Sequence, residues 1–83
     1  MASKLIEYII TNGMQNEDFT GEVLWYDERK GHGILSVGAE GHEVFFDSSV
    51  LQKRFIPNTG DYLEFNFNTE VKHVACAKNV NLI

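Results

Sequence analysis

The 83-residue sequence contains one cysteine, Cys76, and one proline, Pro57. A single cysteine excludes a disulfide framework within the chain and a zinc site built from several cysteines. No apolar run approaches the roughly 18–20 residues that a membrane-spanning helix needs. The run Leu5–Ile10 is interrupted by Glu7 and lacks the small-residue cleavage site of a secretory signal. We therefore expect a chain that resides in the reducing cytoplasm and is not bound to a membrane.

Basic residues are also scarce, because 7 lysines and arginines stand against 12 aspartates and glutamates, a formal net charge of −5. This balance excludes a broad basic face that binds duplex phosphates indiscriminately. It does not exclude a narrow binding strip, because net charge does not say where the charges lie. The hydrophobic content of 43% and the aromatic content of 12% are those of a folded domain. The length suffices for one such domain.

Residues that could support catalysis or metal binding are few and widely spaced: His32, His42, Asp47, His73 and Cys76. No pair of them has the close spacing typical of zinc sites, and Cys76 lies between two alanines, where a small buried hydrophobic residue fits. No glycine-rich loop of nucleotide-binding length precedes a helix. We therefore predict a protein that is not an enzyme and that needs neither a metal nor another cofactor.

Residues 1–18 form an N-terminal extension that differs in character from the rest of the chain. Ser3 is suited to cap a short helix over Lys4–Thr11, whose aliphatic residues pair at a spacing of four, and Gly13 is suited to end it. The polar residues that follow are typical of a linker. A strand suits the isoleucines nearly as well, and eight residues make a marginal helix alone. We expect a short appendage that either packs on its own domain or contacts a second copy or another partner.

Residues 19–83 show short apolar runs separated by glycine, asparagine and aspartate, which is typical of strands at hairpin spacing. Five strands are predicted, over Glu22–Asp27, Gly33–Val37, His42–Asp47, Asp61–Asn68 and Val71–Val80. Alternation in Asp61–Asn68 directs Leu63, Phe65 and Phe67 to one side, and we expect these three, with Val23 and Leu35, to form the core. Short antiparallel strands leave few free edges only when the sheet curls shut. The predicted fold is therefore all-β, a five-stranded antiparallel Greek-key barrel of the OB type with a short N-terminal extension.

Four motifs follow one another in this segment in a specific order. Thr20–Leu35 reads TGEVLWYDERKGHGIL, Val44–Ser49 reads VFFDSS, Thr59–Asp61 reads TGD, and Ala77–Val80 reads AKNV. The first resembles the opening Gly-x-Val-x-Trp-Phe-Asn and Lys-Gly-Phe-Gly-Phe-Ile of the cold-shock domain family, and the second resembles its Val-Phe-Val-His-x-Ser. The other two resemble the start of the family's fourth strand and its closing Ala-x-Asn-Val. The resemblance covers residues 19–83.

This resemblance implies a domain that binds single-stranded RNA or DNA, as an RNA chaperone or a regulator of expression. Unpaired bases expose flat faces that stack on outward-facing aromatic side chains. On the matching positions, base stacking falls to Trp25, Tyr26, His32 and Phe45, phosphate contact to Arg29 and Lys30, and the platform edge to Ile34 and Phe55. We expect Phe45 to lie outside the barrel and Phe46 inside it. Lys53 and Arg54 add a basic spot in the loop beside the expected platform.

Several residues depart from the family pattern. Ile34 and Ser48 stand where members carry phenylalanine, and Asp47 stands where they carry histidine. Each base-stacking side chain contributes about 1–3 kcal/mol, so the loss of two weakens binding by about 2–6 kcal/mol. We therefore expect binding weaker than that of typical members. The alternative hypothesis, favoured by Asp27, Glu43 and Asp47, is a protein-interaction module or nucleic-acid mimic that has lost most nucleic-acid binding.

Overall fold

Strands joined by tight turns make up most of the domain. A computed structural model describes residues 2–83 of the chain. Its elements are α1 (Lys4–Thr11), β1 (Phe19–Asp27), β2 (His32–Val37), β3 (His42–Asp47), a 3₁₀ turn (Ser48–Val50), β4 (Tyr62–Phe67) and β5 (Ala77–Leu82). The short helix, the two hairpins and the fourth strand lie where the sequence predicts them.

The prediction of a strand over Val71–Val80 is wrong at both ends, because β5 begins at Ala77 and ends at Leu82. The reason lies in the pairing of the preceding residues. The carbonyl of Ala75 accepts a hydrogen bond from the Phe45 N–H at 2.8 Å, so the chain there contacts β3 and not β4. Antiparallel pairing with β4 starts only at Ala77, opposite Phe67. β1 also begins earlier than predicted, because Phe19 already pairs with β4.

The strands form one antiparallel sheet in the order β3-β2-β1-β4-β5. The two edge strands come together through isolated parallel bridges, from Phe45 to Cys76 and from Leu51 to Val80. The sheet therefore curls on itself and leaves little free edge, as in a small OB-type barrel. The predicted fold class is confirmed.

The core lies inside the curled sheet and contains Val23, Leu35, Leu63, Phe65 and Phe67, as the sequence predicts. Its largest fully buried side chains are Phe46, Phe65, Phe67, Ile6, Ile9, Leu35, Leu63, Val23, Val44 and Val80. Phe46 is buried and its neighbour Phe45 is half-exposed, as predicted. No side-chain nitrogen or oxygen in the described part of the chain is buried without a hydrogen-bond partner.

Helix α1 covers the end of the barrel at which β1 begins. The Ser3 hydroxyl accepts a hydrogen bond from the Ile6 N–H at 3.3 Å and so caps the helix. The Ser3 N–H donates to the Lys72 carbonyl at 2.6 Å, which ties the start of α1 to the connection before β5. Ile6 and Ile9 are 1% and 2% exposed and belong to the barrel core. The helix thus buries Ile6 and Ile9 on its own domain, whereas Tyr8 and Ile10 stay exposed.

Asn66 fastens the linker after α1 to the sheet. Its side-chain NH₂ donates to the Glu17 carbonyl at 2.8 Å and to the Asp18 carboxylate at 2.9 Å. Its side-chain oxygen accepts from the Asn79 amide at 3.0 Å. Asn79 has a φ of 53°, a left-handed conformation that asparagine tolerates, at an irregularity in the pairing of β4 with β5. One side chain therefore connects the linker, β4 and β5.

We expect Ile9→Ala to lower the free energy of unfolding by about 2–5 kcal/mol, because it empties a buried core position. Ile10→Ala is the matched control on the same helix, since Ile10 is 37% exposed. Urea unfolding followed by circular dichroism measures both variants. Equal effects of the two substitutions would contradict the docking of α1 described above.

Gly33 permits the close approach of β2 to β1. A Cβ atom at this position would lie 2.3 Å from the Trp25 carbonyl oxygen and 3.1 Å from the Phe46 ring. The first distance is far below van der Waals contact, and the obstructing atom is backbone, which cannot rotate away. Only glycine fits between these strands without moving them apart.

Gly33→Ala should therefore destabilise the domain by about 3 kcal/mol, at the upper end of ordinary overpacking costs. Gly13→Ala serves as the control, because Gly13 has a φ of +65° and open space around it. That change should cost about 1 kcal/mol, from the left-handed backbone alone. Thermal unfolding measures the difference, and a Gly33 variant as stable as the Gly13 variant would show that the strands separate easily.

Candidate nucleic-acid interface

A β-bulge in β1 turns Trp25 away from the core. Val23 pairs with Leu35 and Trp25 pairs with Ile34, so Leu24 is an additional residue without a partner of its own. Val23 is fully buried, whereas Leu24 and Trp25 are 39% and 44% exposed. Regular alternation would place Trp25 on the same side as Val23. The bulge reverses this alternation and places Trp25 on the outer face.

Four of the predicted site residues lie together on that face. Trp25 pairs with Ile34, and Ile34 pairs with Phe45, so the three form a row across β1, β2 and β3. The His32 ring centroid is 5.7 Å from that of Trp25 and 5.6 Å from that of Phe45. We call this continuous surface of Trp25, His32, Ile34 and Phe45 the aromatic platform.

Carboxylates border the platform on both sides. On one side Asp27 and Asp47 both pair with His32. On the other side Glu22 and Glu43 both pair with Ser36, two positions beyond Ile34 along β2. The apolar strip is therefore narrow and acidic at its margins.

The two aspartates have structural tasks. The Asp47 carboxylate accepts a hydrogen bond from the Ser49 N–H at 2.8 Å and another from the Ser49 hydroxyl, and so caps the 3₁₀ turn. The Asp27 carboxylate accepts from the backbone N–H groups of Arg29 and Lys30 at 3.0 and 3.1 Å. These bonds explain why acids occupy both positions, although their charge remains beside the platform.

Arg29 and Lys30 lie in the turn between β1 and β2, and both are exposed. This turn is closed by the Gly31 N–H, which donates to the Asp27 carbonyl at 2.7 Å. Because Asp27 pairs with His32 directly after the turn, the two cations lie at one edge of the aromatic platform.

Tyr26 and Phe55 lie apart from the platform. Tyr26 is half-buried and stacks on Phe46, with ring centroids 5.7 Å apart and an interplanar angle of 14°. Phe55 is also half-buried and packs against the core. Both line a recess of about 380 Å³ at the end of β1. We call it the basic recess and define it by Tyr26, Ser48, Gln52, Lys53, Arg54 and Phe55.

Two features of this surface are absent from the predicted site. Leu24 extends the apolar surface beside Trp25, and no sequence signal identifies the bulge that exposes it. The recess itself depends on how the loop after the 3₁₀ turn folds back on Tyr26, although the adjacent cations Lys53 and Arg54 were visible in the sequence.

Cys76 is the one cysteine among the residues that could bind a metal or act as a nucleophile. Burial raises the pKa of the Cys76 thiol, and the nearby Asp47 carboxylate raises this pKa further, so the thiol stays protonated at neutral pH. Within residues 2–83, no three histidine, cysteine, aspartate or glutamate side chains are grouped to hold a metal ion. No helix in the described part of the chain is long and apolar enough to cross a membrane.

No family model matches the chain, but comparison with curated proteins and with solved structures finds similar ones. Over 64 residues it is 33% identical to the cold shock domain-containing protein CG9705 of Drosophila melanogaster, a match that covers 77% of this chain and 39% of the relative. The fold superposes on the Drosophila Unr CSD456 structure with a TM-score of 0.68 and 16% identity, covering 90% of this chain and 30% of that one. The chain thus spans well under half the length of either protein. Together with the ordered motifs between Thr20 and Val80, these matches place the chain in the cold-shock domain family, as a divergent member.

Proposed function

We propose that the chain binds single-stranded RNA or DNA by stacking unpaired bases on the aromatic platform. The observation that carries this proposal is the continuous contact of Trp25, His32 and Phe45 across three neighbouring strands, with ring centroids 5.6–5.7 Å apart. Exposed rings of this kind attract unpaired bases, because every base has a flat π face. A duplex hides these faces, so the platform favours single strands.

Phosphate contacts come from the edge of the platform and not from its face. Arg29 and Lys30 are exposed in the turn that adjoins His32, where a strand lying across the platform brings its backbone within reach. Cations in such a position attract phosphates without reading the base sequence.

The affinity is expected to be lower than that of members with a full set of rings. Ile34, in the middle of the central row, offers apolar contact but no π face, and Ser48 offers neither. The carboxylates of Asp27, Asp47, Glu22 and Glu43 add repulsion toward phosphates. Weak binding that tolerates many sequences suits an RNA chaperone or a regulator that engages transcripts transiently. The cytoplasm remains the proposed location.

The alternative of a protein-interaction module or nucleic-acid mimic is not favoured by either relative. The main support for this alternative is the set of acids beside the platform. Two of these, Asp27 and Asp47, hold turns through backbone hydrogen bonds, which gives their presence a reason independent of any basic partner.

The proposal predicts that short single-stranded oligonucleotides quench the fluorescence of Trp25, the one tryptophan of the chain. Phe45→Ala should weaken binding by about 1–3 kcal/mol, or roughly 5- to 150-fold, because it removes one stacking ring. Titrations with pyrimidine-rich and purine-rich hexamers at low salt measure both effects.

Tyr8→Ala is the matched control, because Tyr8 is an exposed aromatic residue on α1, at the other end of the domain. It should bind as the unmodified chain does. Absence of quenching by every oligonucleotide, or an equal loss in both variants, would contradict base stacking on the platform.

Restoring a ring at the centre of the row should strengthen binding. Ile34 is half-exposed and pairs with both Trp25 and Phe45, so Ile34→Phe places a π face between two existing ones. We expect a gain of about 1 kcal/mol, or roughly fivefold, for single strands. Ile10→Phe, on α1, is the control for added apolar surface. An unchanged affinity in the Ile34 variant would mean that bases do not reach the central row.

A further inference from the structure

The basic recess differs in charge from the platform beside it. The residues that line it include the cationic Lys53 and Arg54 and the polar Ser48, Gln52 and Tyr26, but no aspartate or glutamate. The platform is bordered by carboxylates on both sides. Ammonium, guanidinium, hydroxyl and amide groups are the donors that phosphate oxygens accept from. The recess therefore offers cationic and polar residues suited to phosphate, which the platform itself lacks.

The loop that carries the two cations is held in place at both ends. The Gln52 N–H donates to the Val80 carbonyl at 2.8 Å, next to the bridge that joins Leu51 to the same residue. On the other side Phe55 packs on the core, and Pro57 is buried. Lys53 and Arg54 thus lie on a short segment between fixed points, so little backbone freedom is lost when a ligand binds.

The recess adjoins the platform through the 3₁₀ turn. Ser48 lines the recess, and its N–H donates to the Gly31 carbonyl at 2.8 Å. Gly31 directly precedes His32, a platform residue. The two loops that meet here carry Arg29, Lys30, Lys53 and Arg54, four of the seven lysines and arginines in the chain. A strand that leaves the platform at His32 therefore arrives at the two loops that carry these four cations.

We propose that the basic recess binds a phosphate group of the same single strand whose bases stack on the platform. This inference rests on the proposed function and adds a second contact point to it. Bases contact the narrow apolar row, and the backbone is held beyond its acidic margin by Lys53 and Arg54. The phosphate is either an internal backbone phosphate or one at the end of a strand, and both carry the charge that the recess recognises.

The test is the double variant Lys53→Gln/Arg54→Gln, measured by Trp25 fluorescence with a hexamer at several salt concentrations. Loss of this one phosphate contact should reduce the magnitude of the slope of log affinity against log salt by about 0.7, since each neutralised phosphate contributes about 0.7 on single strands. The control is Lys4→Gln/Lys72→Gln, which removes the same charge from exposed positions at the α1 end. Its slope should stay close to that of the unmodified chain.

Hexamers with no terminal phosphate, a 5′-phosphate or a 3′-phosphate distinguish the two sources. A slope that falls equally for all three hexamers indicates an internal phosphate. An affinity gain from one terminal phosphate, present in the unmodified chain and lost in the Lys53/Arg54 variant, indicates a strand end. Either result supports the inference. Equal slopes in the Lys53/Arg54 variant and the Lys4/Lys72 control would overturn it.

Amide NMR shifts on titration with thymidine 3′,5′-bisphosphate separate failure of this inference from failure of the proposed function. Shifts at residues 52–55, without quenching of Trp25 by any oligonucleotide, would mean that the recess binds phosphate while the platform does not stack bases. Quenching of Trp25 by hexamers, with no shifts at residues 52–55 and no change of slope, would overturn the recess alone.

Discussion

The β-bulge at Leu24, where β1 pairs with β2, sets the arrangement of both the core and the outer surface. It decides which side chains of β1 enter the core and which lie on the outer face. Val23 enters the core before the bulge, and Trp25 leaves it directly afterwards. Gly33 makes this arrangement feasible, since no side chain fits between the two strands at that point. Without the bulge, Trp25 would point inward and the outer row would consist of Ile34 and Phe45 alone.

On the resulting surface, the groups suited to bind bases and the groups suited to bind phosphates lie in two different places. Flat apolar side chains occupy the middle of three strands, whereas the cations occupy loops at one edge. Acids lie between and around these regions, partly because aspartates are good caps for the turns that join the strands. A chain with a net charge of −5 can thus still offer a local positive region, because the charge is unevenly distributed.

Local sequence signals predicted much of this arrangement. Ser3 and Gly13 mark the ends of α1, alternation identifies Leu63, Phe65 and Phe67 as core residues, and the ordered motifs identify the barrel. The errors arise where long-range pairing prevails. The fifth strand starts late because the Ala75 carbonyl accepts a hydrogen bond from Phe45 of β3. The two residues are thirty positions apart in the sequence.

The positions of the site residues likewise divide into those that the sequence predicts and those that depend on long-range contacts. The platform residues share a face, which motif order implies, whereas periodicity alone would place Trp25 in the core with Val23. Tyr26 turns to Phe46 because the bulge shifts the register after Leu24, and Phe55 joins it because a loop folds back on the barrel. Neither the bulge nor the folding of this loop has a local sequence signal. The sequence alone therefore does not separate Tyr26 and Phe55 from the rings of the platform.

Because α1 packs on the barrel, the folding unit of this protein includes the helix as well as the five strands. The motifs that identify the family begin at Thr20, yet Ile6 and Ile9 are as well buried as the phenylalanines of β4. We therefore expect the helix and the barrel to unfold in one cooperative transition, in which the amides of α1 exchange only through the same global opening that exposes the strands. A fragment trimmed to the motif-bearing residues would begin with an uncovered apolar opening at the end of the barrel where β1 starts.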